Sequence, residues 1–71
     1  MDSADLVRMA NQIAGYFRAY PEDEAVAEIT QHIRSFWDPR MRQGLDALIA
    51  AGGAELDPLV CKAFPPRPVS G

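Results

Sequence analysis

The sequence is poor in the residues from which sites of chemistry are built. Its 71 residues include one cysteine, one histidine and one tryptophan. A lone Cys61 cannot close an internal disulfide, a usage that fits a reducing cytoplasm. Cys61 and His32 lie far apart and lack the paired spacing of a zinc site, so no metal centre is expected in this chain. Seven basic residues face ten acidic ones, and the net charge of −3 argues against a nucleic-acid binder, whose footprint is a basic face. No apolar run approaches the ~20 residues that span a bilayer. The acidic start, Met1 to Asp5, is not the charged leader of a signal peptide, so the expected compartment is the cytoplasm. A phosphate-cradling loop is missing too, because Gly52-Gly53 closes a helical pattern and does not follow a strand.

Catalytic constellations are equally absent. Ser3, Thr30, Ser35, Ser70 and Cys61 are the available nucleophiles, and His32 is the single imidazole to serve them. Ser35 follows His32 on the same helical stretch without an oxyanion loop or an orienting third group. Glu28 and His32 have i, i+4 spacing, which reads as a surface pair worth a few tenths of a kcal/mol (~0.3). Cys61, between apolar neighbours, reads as a small buried hydrophobe.

What the chain has is helical periodicity. The spacing predicts a first helix from Ala4 to Ala19, capped by Ser3 or Asp2, with Leu6, Met9, Ile13, Phe17 and Tyr20 on one face. Ala10 and Ala14 form a small row beside that stripe, fit for close approach of a neighbour. Gly15, in the interior, signals either close packing or simple tolerance. Tyr20-Pro21 ends this helix, and Glu22, Asp23 and Glu24 open the next, where carboxylates favour the exposed amides of a helix start.

Val26, Ile29, Ile33 and Phe36 then continue to Trp37, and the short connection makes the two helices antiparallel neighbours. Leu6, Met9, Ile13 and Phe17 against Val26, Ile29, Ile33 and Phe36 would be a thin central seam. Asp38-Pro39 caps a third helix reaching Ala51, with Met41, Leu45, Leu48 and Ile49 inward. Asp57-Pro58 repeats the device before a short fourth helix ending near Phe64. Residues 65–71, rich in proline, are expected to be an extended tail beyond a single domain over residues 1–64. The fold class is all-α, and so small a core is marginal without another chain against it.

Residues 32 to 42 concentrate what is unusual: His32, Arg34, Phe36, Trp37, Arg40, Met41 and Arg42 around the Asp38-Pro39 break. Aromatics supply buried area and arginines directional hydrogen bonds, the composition of a protein-binding surface. His32, Arg34, Trp37, Arg40, Met41 and Arg42 are therefore the candidate partner-binding residues. If Phe36 completes the seam, Trp37 lies about 100 degrees further round. Two readings of it stay open: a half-exposed anchor, or an indole folded under the third helix over Met41 and Leu45. An alternative function, a helix-turn-helix reading DNA, has only Arg40 and Arg42 on its would-be recognition helix, with Asp46 following.

Several stretches carry a resemblance: Leu6 to Ala14, Phe17-Arg18, Tyr20-Pro21, Ala25 to Ala27, His32-Ile33, and above all Phe36-Trp-Asp-Pro-Arg-Met-Arg42. Over about residues 5 to 60 the chain resembles the delta subunit of cytoplasmic NAD-dependent formate dehydrogenases, while residues 61 to 71 match no pattern. The resemblance implies a non-catalytic accessory subunit that stabilises the catalytic alpha subunit, or assists its maturation, in a complex oxidising formate to carbon dioxide. It also implies that the molybdenum or tungsten pterin, the iron-sulfur clusters, FMN and NAD belong to the alpha, beta and gamma partner subunits.

Overall fold

The computed structural model describes residues 2–65, and the extended tail expected over residues 65–71 lies, beyond Pro65, outside them. The described chain is all-helical, with α1 at Ser3–Phe17, α2 at Glu22–Phe36, α3 at Pro39–Ala50 and a short α4 at Pro58–Ala63. Each boundary has a local cause. Asp38 is extended, as a residue before proline must be, and its Oδ1 accepts from the Met41 amide at 2.9 Å. Asp57 does the same for α4, accepting from the Leu59 amide at 2.9 Å. At the start of α1 the cap is Asp2, whose side chain makes no capping hydrogen bond.

Beyond α3, Gly52 and Gly53 take φ of 117° and 61°, the left-handed stop their sequence signals. A Cβ at Gly53 would stand 2.8 Å from Cys61 Sγ. Gly53→Ala is expected to cost about 1–2 kcal/mol from the backbone conformation alone, with the thiol contact adding to it. Gly15→Ala, where an added Cβ meets nothing within 4 Å, is expected to gain up to ~1 kcal/mol. Thermal melts of the two variants against the parent check both signs. Of the two readings of Gly15, open tolerance is therefore the one found.

The core is one cluster, and it differs from the expected seam. Leu6, Ala10 and Ala14 of α1 meet Ile29 and Ile33 of α2, Leu45 and Ile49 of α3, and Val60 of α4, with Leu56, Phe64 and Trp37 completing it. Met9, Ile13 and Phe17, expected at the centre, are only partly buried at its edge. Phe36, also placed in the seam by its spacing, is 74% exposed, whereas Trp37 is 7% exposed. The cause is the number of helices that must converge. Four short elements approach closely only through small residues, so the alanine row takes the centre and the bulky row is displaced around the helix.

α3 reaches α1 by a similar device, since a Cβ at Gly44 would come within 2.5 Å of Leu6 Cδ1. The short α4 packs against both α2 and α1. Asn11 donates from Nδ2 to the Glu55 carbonyl at 2.9 Å, and its Oδ1 accepts from the Asp57 amide at 2.8 Å. Arg18 pairs with Asp57. On the α2 side Lys62 pairs with Glu22 at 2.8 Å, and the Thr30 hydroxyl lies 3.4 Å from the Ala63 carbonyl.

Candidate functional site

The residues displaced from the core line a groove. Met9, Gln12, Ile13, Tyr16 and Phe17 form one wall from α1, His32 and Phe36 the other from α2, and Trp37 and Met41 the remainder of its lining. The groove measures about 620 Å³. Tyr16 and Phe36 on its walls are 83% and 74% exposed. The His32 and Phe36 rings touch at 4.8 Å between centroids with their planes tilted by 41°, as i, i+4 neighbours on one face of α2 can. Across from them Tyr16, Phe17 and Tyr20 continue in contact, with Phe17 edge-on to Tyr20 at 5.7 Å. Among the described residues no carboxylate, lysine or arginine lines the groove, so it suits an apolar occupant.

Trp37 reaches the floor because the chain turns there. As the residue that caps the C-terminus of α2 it is extended, with φ −89° and ψ 134°, while its amide still donates to the Ile33 carbonyl at 2.9 Å. This turn, imposed by Pro39 through Asp38, carries the indole inward and leaves the preceding Phe36 outside. The exposed-anchor reading of Trp37 is thus corrected: the indole belongs to the core and shows only an edge to the groove. Phe36 is the projecting aromatic.

The six residues singled out in the sequence do not form one patch. His32, Trp37 and Met41 share the groove. Arg34 and Arg42 line a separate concavity of about 410 Å³ with Asp46, Ile49, Ala50, Ala63, Phe64 and Pro65. Arg40 is exposed and lines neither. Helical geometry explains the separation, for Arg34 stands about 200 degrees round α2 from His32 and Arg42 about 100 degrees round α3 from Met41. Arg42 lies over the Phe64 ring at 4.6 Å, which holds it away from the outer face of α3. A recognition helix would carry its cations on that outer face, so α3 has Arg40 there without Arg42.

The groove's α1 wall escaped the sequence reading. The signal was nonetheless present, because α1 and α2 carry more bulky apolar side chains than one thin seam can enclose, and Tyr16 extends the surplus beyond Phe17. Among the described residues no His32–Glu28 hydrogen bond forms, and no group of three or more His, Cys, Asp or Glu side chains is placed to hold a metal ion. Cys61 is partly buried, its thiol 3.9 Å from the Gly53 carbonyl.

The described chain is a small all-helical domain with an apolar groove open along one side. The family model described as NADH-dependent formate dehydrogenase delta subunit, FdsD, matches residues 5–64, and the chain belongs to that family. The match continues through α4, past the point where the sequence motifs stop. No curated protein and no solved structure matches the chain. Membership of the delta-subunit family makes it a component of a multi-subunit formate dehydrogenase complex. Among the described residues no helix is long and apolar enough to cross a membrane.

Proposed function

We infer that the chain is a non-catalytic accessory subunit that docks through its α1–α2 groove on the catalytic alpha subunit of a cytoplasmic NAD-dependent formate dehydrogenase. Docking stabilises that subunit, or holds it in a form that matures with its cofactor. One observation carries the reading: a delta-subunit family member leaves an aromatic-rimmed apolar groove uncovered. A stable interface buries roughly 800 Å² on each partner, with anchors at its centre and polar groups at its rim. Phe36 and Tyr16 are such anchors, and the occupant they fit is an apolar ridge of the alpha subunit.

On this reading the molybdenum or tungsten pterin, the iron-sulfur clusters, FMN and NAD are held by the alpha, beta and gamma subunits, and formate is oxidised to carbon dioxide there. This chain contributes surface and rigidity. The test is recovery of the chain with a tagged alpha subunit, comparing the native groove with the variant Phe36→Asp. Equal recovery of the two would sink the groove as the docking surface.

A further inference from the structure

We propose that Arg34 and Arg42, on the far side of α2 from the groove, form a second contact point that takes a carboxylate on an apolar stem, a glutamate side chain of the sister subunit. The assignment rests on the docking reading above and adds to it the chemistry of a distinct patch.

Three observations point to an absent ligand. First, Arg42 Nε is shut off from solvent and has no hydrogen-bond partner. A buried N–H without an acceptor is costly, so an acceptor arriving with a partner would remove a defect that the free chain carries. Second, the ion pairs among the described residues engage Arg8, Arg18 and Lys62, and none brings a carboxylate within pairing distance of Arg34 or Arg42, which line one concavity. Third, the Arg42 guanidinium is already positioned over Phe64, so little of its freedom remains to be lost on binding.

The surroundings choose among anions. Ile49, Ala50, Ala63 and Pro65 make the walls apolar, which suits a hydrocarbon stem better than a fully hydrated phosphate. Asp46 at the edge sets a carboxylate against the two guanidiniums and disfavours a multiply charged ligand. Planar guanidinium forks match a planar carboxylate in two parallel hydrogen bonds. The groove supplies apolar area, and this site fixes the orientation of the bound subunit.

The experiment uses the assembled complex, recovered by a tag on the alpha subunit over a salt series, with Arg34→Gln/Arg42→Gln, Arg34→Lys/Arg42→Lys and Phe36→Asp compared in parallel. The glutamine pair is expected to lower recovery about tenfold or more, with a weaker dependence on salt. Its isolated form should keep its helices and melt within a few degrees of the parent, since neither arginine takes part in an ion pair among the described residues and the Arg42 contact with Phe64 is what the change removes. The lysine pair keeps the charge without the fork and should also lose recovery. Parent-like recovery of the glutamine pair beside loss of Phe36→Asp would overturn this site and leave the groove standing. Loss of the glutamine pair with Phe36→Asp retained would overturn the groove alone. Full recovery with lysines would reduce the site to a general cationic field and overturn the assignment.

Discussion

Phe36→Asp is expected to remove the chain from the purified complex while leaving its helix content and melting temperature close to the parent's. The two halves of that result come from one fact, that the ring is 74% exposed in the free chain. Its removal opens no cavity and strands no polar group, and the lost contact with His32 is worth about 0.2–0.5 kcal/mol. In the complex the same ring would be buried. Anchoring aromatics cost about 2 kcal/mol or more when truncated, a factor of roughly thirty in affinity. The aspartate adds the expense of a charge pressed against an apolar surface without a partner. Co-purification measures the loss, and circular dichroism of the isolated chain shows that the variant is folded. An isolated variant that had lost its helices would instead place Phe36 in the core.

Trp37→Ala should do the reverse. The indole is 7% exposed in the principal core cluster, and truncating a buried aromatic costs about 3–5 kcal/mol. Small domains hold roughly 0.05–0.15 kcal/mol per residue, so the change consumes a large share of what 71 residues provide. The melting temperature of the isolated chain should fall by more than about 10 °C, since each kcal/mol shifts a domain of this size by several degrees. Excess alpha subunit should restore part of the loss, because a partner that binds only the folded form draws the equilibrium back. A fall of only a few degrees would place the indole outside the core. Neighbouring aromatics thus stand apart, Trp37 in the core and Phe36 exposed on the groove wall.

How far the sequence tells this apart is clear from the same pair. Helix ends were legible at Asp38-Pro39, Gly52-Gly53 and Asp57-Pro58, because capping and left-handed stops are local chemistry. The all-α class followed from periodicity, and the arginine and aromatic cluster at residues 32 to 42 contributed to both concave sites. Rotation about the helix axes was not legible. Periodicity identifies an apolar side of α1, but choosing between Ala10–Ala14 and Met9–Ile13 as its centre depends on how closely α2, α3 and α4 converge. The exchange of Phe36 and Trp37 has the same origin, a one-residue step at a helix end where the 100-degree advance (about 3.6 residues per turn) gives way to an extended link. Asn11 gave no signal either, for its partners Glu55 and Asp57 are backbone groups on a distant loop.

α4 contributes no side chain to the groove, yet it braces both walls from behind. Asn11 and Arg18 fasten the α1 side to the α3–α4 connection, while Lys62 holds α2 through Glu22. Both helices that wall the groove are thus tied together by residues that do not line it, Glu55, Asp57 and Lys62. Changes at Asn11 or Asp57 would be felt at Phe36 as a misfit between jaws whose own residues are intact.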